Sequence, residues 1–273
     1  MKTKYILLFF NFFALYLSAQ PENAHWNGQN VVQGKTYVTY GDNVSLRATD
    51  NVDADKLANL PVNTSVTILE VLDKTHSVYG TEAPWLKVRA GDQTGFLVSG
   101  FLALRSIELG DGSKLLYTRT QVHDEYSYQI KMRRVFKDRF VELGTYDLGI
   151  GNFAVELHNS KGLKNIDHVL KIDFLAEACG ENGGRSYFAI DLNEDMLLDL
   201  GSYPSVGDGG MFHHSEDLIF PDEPNGMPGM IIYIGEQGSE NEVTAEYRTV
   251  TKRKEYSWSD ISGGKKIEPF NYD

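Results

Sequence analysis

The sequence is 273 residues long and 41% hydrophobic, with 38 acidic against 26 basic residues and a net charge of −12. Such a charge repels phosphate backbones and anionic lipids at long range, which argues against nucleic-acid and membrane-surface partners. Cys179 is the single cysteine, so an internal disulfide is excluded and each domain must be held together by buried apolar surface.

Residues 1–19 have the order of a secretory signal: basic residues, an apolar run of 13 residues that begins at Tyr5, and then small residues. The run is shorter than the roughly 20 residues that a membrane-spanning helix needs. We therefore predict cleavage after Ala19 and an exported protein, periplasmic or extracellular, without a membrane anchor. Residues 20–34 are polar and turn-rich, and they are predicted to be a linker.

Clusters of Gly, Asn and Asp recur every 8 to 15 residues, and the runs between them are rich in Val, Ile, Tyr, Phe and Thr. This spacing is typical of strands and turns, and no long segment shows the period of a helix. We therefore predict an all-β protein. Residues 35–105 contain about five short strands, which favours a small barrel, because closure removes exposed strand edges.

The strand pattern continues through residues 106–273, over about ten further antiparallel strands. This part is predicted to be a β-rich domain, and a sandwich, a second barrel and a partial propeller all fit the pattern. No flexible linker separates it from residues 35–105, so the two parts are expected to pack together.

Five motifs follow one another within residues 35–105: Val44-Ser45-Leu46-Arg47, Leu60-Pro61 before Val66-Thr67-Ile68-Leu69, Trp85-Leu86-Lys87-Val88, Thr94-Gly95-Phe96-Leu97 and Phe101-Leu102. In type and order they resemble the motifs of the bacterial SH3 domain. The resemblance implies an SH3-like barrel and a non-catalytic module that binds cell-wall peptide or a partner protein. The C-terminal half resembles β-rich regions that accompany such domains in uncharacterised exported proteins.

The segment departs from the family pattern at four places. Ser45 replaces the usual Asn, Asn63 stands where a turn glycine is common, and Phe96 replaces the usual Trp. The loop from 73 to 84 is also longer than is typical. These departures bear on ligand specificity more than on the fold.

Aromatic residues in this segment exceed what a small core needs. We predict that Tyr37, Tyr79 and Phe101 contact an extended peptide in a groove. The place of Trp85 in the family pattern implies core packing instead.

The segment 191–199 carries oxygen ligands at Asp191, Asn193, Asp195 and Asp199, a spacing similar to that of calcium loops. Met196 stands where such loops prefer glycine. We therefore favour a plain hairpin with a turn at 193–195, with calcium as the alternative, and predict no other cofactor.

The densest set of zinc-ligand types is Asp208, His213, His214 and Glu216. On a strand only His214 and Glu216 would share a face, and catalytic zinc usually needs three protein ligands, so a polar loop is favoured. Acidic neighbours disfavour a reactive thiolate at Cys179, and a buried structural cysteine is predicted.

These observations predict a non-enzymatic binding or scaffolding protein of the cell envelope, whose SH3-like module engages cell-wall peptide or a protein partner. One alternative is a peptidoglycan hydrolase with its site in residues 106–273. Another is a structural protein whose barrel only packs against its own C-terminal domain.

Overall fold

The structure is a computed structural model that describes residues 24–25, 31–121, 128–137, 139–148, 151–176, 178–209, 211–240 and 247–268. Within these ranges nearly all regular structure is antiparallel strand, arranged in three sheets, so the prediction of an all-β protein is confirmed. The same ranges contain no helix with the length and apolar character that crossing a bilayer requires. The predicted leader, residues 1–19, lies outside the described residues.

The elements in chain order are β1 (Ala24–His25), β2 (Thr36–Val38), β3 (Val44–Arg47), β4 (Lys56–Leu60), β5 (Ser65–Val78), β6 (Thr81–Ala90), β7 (Gln93–Val98), a 3-10 turn (Ser99–Phe101), β8 (Arg105–Glu108), β9 (Lys114–Gln121), β10 (Tyr128–Val135), β11 (Phe140–Leu148), β12 (Phe153–Asn159), β13 (His168–Phe174), β14 (Gly183–Asp191), β15 (Met196–Asp208), β16 (Phe212–Ile219), β17 (Met230–Glu240), β18 (Tyr247–Ser257) and α1 (Trp258–Ser262).

The first sheet is curled and has the strand order β2-β5-β6-β7-β3-β4. Register shifts after Ile68 and after Val71 interrupt the pairing of β5 with β6, and such bulges bend a strand. The start of β5 pairs with β2 and the rest with β6. The sheet thereby encloses a core of nine buried apolar residues: Val44, Leu46, Leu60, Val66, Ile68, Leu86, Val88, Leu97 and Leu102.

Backbone geometry explains why asparagine is found at position 63 and glycine at position 95. Asn63 has a φ of 62°, a left-handed conformation that glycine and asparagine adopt at the least cost, so asparagine can replace the turn glycine. A Cβ on Gly95 would lie 2.8 Å from the carbonyl oxygen of Arg47 and 2.8 Å from Leu46 Cγ. Only glycine therefore fits where β7 approaches β3.

The second sheet has the order β11-β10-β9-β8, and in the third sheet β12 to β18 each pair with the next strand. The second sheet packs face to face on β12, β13 and β14. Of the three arrangements that the pattern of residues 106–273 allowed, the structure shows a sandwich here. The opposite face of the third sheet carries another core, which includes Tyr187, Tyr203 and Tyr233 and is covered by α1.

The first and second sheets also pack together, which confirms the expectation that the two parts are in contact. Tyr40 and Ala103 are buried against Leu116 and Val135. Part of the predicted linker is a strand rather than an irregular segment. Ala24 and His25 pair with β12, and the His25 ring packs against the Tyr117 and Phe153 rings at centroid distances of 5.5 and 5.1 Å.

Arg134, on β10, ties the second sheet to the β14–β15 hairpin. Its guanidinium is only 3% exposed, and it donates to Asp111, to Asp195 at 2.5 Å, and to the Leu192 carbonyl oxygen at 2.5 Å. Ser113 accepts a further hydrogen bond at 2.9 Å. A buried guanidinium of this kind is tolerated only when its donors are satisfied, as they are here.

We expect Arg134→Met to lower the free energy of unfolding by about 2–3 kcal/mol, measured by urea denaturation. Removing one partner of a buried ion pair typically costs about 3–5 kcal/mol, and the loss here is smaller because water reaches both carboxylates. Arg139→Met is the matched control: Arg139 is 55% exposed and lies 3.6 Å from Asp195. Arg139→Met should lower the free energy of unfolding by at most about 1 kcal/mol. Equal losses in the two variants would contradict a structural role for the buried pair.

His25 makes the protein sensitive to acid. Burial, together with the nearby Arg105 and Arg119, lowers the pKa of His25 from 6.5 to about 4. The folded state therefore binds fewer protons than the unfolded state, and stability is lost as the pH falls from about 6.5 towards 4. The neutral ring also hydrogen-bonds with the Tyr117 hydroxyl at 2.7 Å.

Between pH 8 and pH 5 the free energy of unfolding should fall in both proteins. We expect the fall to be about 1–2 kcal/mol larger in the natural chain than in His25→Gln. Glutamine does not titrate and keeps an acceptor for the Tyr117 hydroxyl. Urea unfolding at both pH values measures the difference. Parallel pH dependence in the two proteins would show that His25 is not the titrating group.

Candidate functional site

A groove of about 300 Å³ opens on the first sheet, between the tip of the β5–β6 hairpin, the 3-10 turn and the segment from residue 41 to 52. This volume is at the lower end of the range for ligand pockets. One wall is aromatic and the other is the polar segment. The main lining residues are Asp42, Asn43, Val52, His76, Tyr79 and Phe101.

Trp85 forms part of the groove floor. Because neighbouring residues on a strand point to opposite faces, Trp85 and Val98 lie on the face opposite the main core of the sheet. With Val78 and Ala83 they form a small second core. Trp85 is 2% exposed, so its predicted place in the core is confirmed.

Tyr79 stands at the tip of the hairpin, and the segment 73–84, predicted to be a long loop, is therefore mostly strand. Tyr79 and Gly80 form the two-residue turn between β5 and β6, with φ values of 52° and 80°. Positive φ at both positions matches the twist of the flanking strands. A tyrosine adopts this conformation at an energetic cost, and such costs concentrate at functional sites.

The Tyr79 ring is 43% exposed and meets the Phe101 ring edge to face at a centroid distance of 6.2 Å. Gly41 makes room for this pair. A Cβ on Gly41 would lie 2.8 Å from Val44 Cγ2 and 3.4 Å from Phe101 Cδ1. The aromatic wall therefore depends on glycine in the neighbouring segment.

The opposite wall is polar and contains local hydrogen bonds. Asn43 has a φ of 57°, and its amide donates to Asp42 at 3.2 Å. Arg47 donates to the carbonyl oxygen of Ala54 at 2.8 Å, which holds the loop that carries Val52. The wall thus offers an exposed carboxylate, an amide and an apolar side chain to a ligand.

Of the three predicted ligand contacts, the structure brings Tyr79 and Phe101 together in the groove and places Tyr37 elsewhere. The Tyr37 hydroxyl accepts a hydrogen bond from the Val32 amide at 3.0 Å, and its ring packs on the main core of the first sheet. Sequence reasoning missed Asp42 and Asn43. The Gly-Asp-Asn turn just before β3 was the available signal for them.

The three carboxylates of the alternative calcium loop have other partners. Asp191 accepts from the amides of Asn193 and Glu194, at 2.8 and 3.2 Å, and Asp199 accepts from the Gly201 amide at 2.8 Å. Asp195 pairs with Arg134. The segment is a hairpin that joins β14 to β15, as favoured from the sequence, and its geometry does not support the calcium alternative.

The other candidate ligands do not converge either. His213 hydrogen-bonds with Tyr247 and with Glu236, at 2.5 and 2.8 Å, whereas His214 Nε2 lies 3.1 Å from Glu216 Oε1. The predicted division of the two histidines between opposite faces is therefore confirmed. In the part of the chain that the structure describes, no three side chains of His, Cys, Asp or Glu are placed to hold a metal.

Cys179 lies in the turn between β13 and β14, and its side chain is exposed. The prediction of a buried cysteine is wrong. The turn is fixed by backbone hydrogen bonds, such as that from the Gly180 amide to the Gly207 carbonyl oxygen at 2.9 Å, rather than by packing of the thiol.

Comparison with known proteins finds no match: no family model, no curated protein and no solved structure matches the chain. The resemblance to bacterial SH3 domains therefore stays a prediction from the motifs.

We expect that neither 1 mM EDTA nor added calcium changes the melting midpoint by more than about 1 °C. An ion whose concentration is about 100 times its dissociation constant adds about 2.7 kcal/mol to the free energy of unfolding. This gain raises the melting midpoint by several degrees. Asp191, Asp195 and Asp199 already have protein partners, so no such gain is expected. A calcium-dependent rise that Asp191→Asn abolishes would restore the calcium alternative.

Proposed function

We propose that this is a non-enzymatic binding protein of the cell envelope that holds an extended peptide in the groove of its first sheet. The observation that carries the proposal is the exposed Tyr79 ring, fixed at a hairpin tip, edge-on to Phe101 and beside a groove. Rigid aromatic rings with one polar end are the side chains that most often anchor interfaces.

The ligand class is a cell-wall peptide. The bacterial SH3 resemblance of residues 35–105 and the predicted leader support this choice, and the acidic net charge disfavours nucleic acid and anionic membranes as partners. The polar wall fits a peptide, because Asp42 and Asn43 present a carboxylate and an amide to backbone or amino groups. A protein segment of similar chemistry is the alternative occupant.

A peptidoglycan hydrolase remains a weaker candidate, since no observation favours it. The exposed Cys179 lies in the turn before β14, whereas the His214 ring lies 3.1 Å from the Glu216 carboxylate on β16. Among the described side chains, no group of three titratable residues is assembled for metal-assisted hydrolysis.

We expect the chain lacking residues 1–19 to sediment with purified peptidoglycan and to bind the tetrapeptide L-Ala-γ-D-Gln-L-Lys-D-Ala in calorimetry. Tyr79→Asn should raise the dissociation constant about tenfold or more, because loss of an anchoring ring typically costs about 2 kcal/mol. Asparagine tolerates the positive φ at this position, so the turn is kept.

Tyr247→Asn is the control, since Tyr247 is 44% exposed and lies on β18, in the third sheet. It should bind as the natural chain does. If the natural chain binds neither peptidoglycan nor the tetrapeptide, the assignment to cell-wall peptide is wrong. If binding survives Tyr79→Asn unchanged, the groove is not the site.

A further inference from the structure

An ammonium group from a different sheet lies beside the Tyr79 ring, which lines the groove. Lys131, on β10 of the second sheet, places its Nζ 4.6 Å from the centre of the Tyr79 ring. The residue is partly buried. No carboxylate of the described residues lies within 4 Å of it, as an ion pair would require.

The acidic residues on this face of the second sheet have other partners. Arg133 pairs with Glu142 at 2.7 Å, and the Gln129 amide donates to Asp147 at 2.9 Å. The direct cross-strand neighbours of Lys131 are two threonines. In a chain whose net charge is −12, the cation beside the aromatic wall is thus left without a counter-charge among the described residues.

The Tyr79 side chain lines the groove and also contacts the Lys131 ammonium. The Tyr79 ring lies 4.6 Å from that ammonium, so a ligand that extends past the ring can reach the charge. A cation over an exposed ring is only weakly stabilised by that ring, and an ammonium has three hydrogen-bond donors that a ligand can use.

We propose that Lys131 binds the free C-terminal carboxylate of the peptide in the groove. This inference rests on the proposed function and makes the site a composite of the first and second sheets. Hydrogen bonds between an ammonium and a carboxylate are shorter and stronger than neutral ones. Tyr79 and Phe101 hold the side chains of the ligand, and Lys131 fixes where its chain ends.

The test compares the tetrapeptide L-Ala-γ-D-Gln-L-Lys-D-Ala as free acid and as C-terminal amide, by calorimetry with the full chain lacking the predicted leader. The free acid should bind about five- to tenfold more tightly, and the preference should shrink as salt is added. In Lys131→Met the two peptides should bind equally, because methionine keeps an unbranched apolar stem against Tyr79 and removes the charge.

Lys114→Met is the matched control: it removes one positive charge from the same sheet, at a lysine that pairs with Glu108 at 2.9 Å. It should leave the preference for the free acid intact. If both peptides bind with equal affinity, or if Lys131→Met keeps the preference, the inference is wrong while the groove function stands. If neither peptide binds the natural chain, the proposed function fails and the inference fails with it.

Discussion

Two consecutive arginines on β10 hold the three sheets in position. Neighbouring residues on a strand point to opposite faces, so Arg133 reaches the first sheet and Arg134 reaches the third. Arg133 donates to the Tyr40 carbonyl oxygen and lies 4.3 Å from the centre of the Tyr40 ring. Arg134 bonds across to the β14–β15 hairpin at Asp195. Because both arginines belong to β10, this one strand positions the first and the third sheet relative to the second.

The candidate site follows from this arrangement. Lys131 lies two residues before Arg133 and therefore on the same face of β10, which brings its ammonium to Tyr79. On the other side of the contact, Tyr40 is followed by Gly41, where the polar wall of the groove begins. The contact that joins the first two sheets thus also places the Lys131 charge beside Tyr79, and the proposed site draws on both sheets.

Local signals in the sequence were sufficient for the strands and for some turns. The alternation of apolar residues predicted an all-β chain, and the turn at 193–195 lies between β14 and β15 as expected. The predicted core position of Trp85 is correct as well. Long-range relations were not accessible. Whether Lys131 has a carboxylate partner among the described residues depends on which side chains Glu142 and Asp147 meet, and strand pairing decides that. The hairpin at Tyr79 was missed because Tyr-Gly is an uncommon two-residue turn, whereas Asn-Gly is the usual one.

A ligand that touches both Tyr79 and Lys131 would stabilise the contact between the first two sheets. A unit of about 70 residues buries only about 60% of its chain surface, so the first sheet depends on the second for part of its stability. Tyr40, which is 1% exposed, supplies much of that shared buried surface. Because binding to the folded state always adds to stability, a ligand that spans the junction favours the docked arrangement over any in which the sheets separate. The same junction therefore serves to stabilise the fold and to complete the proposed site.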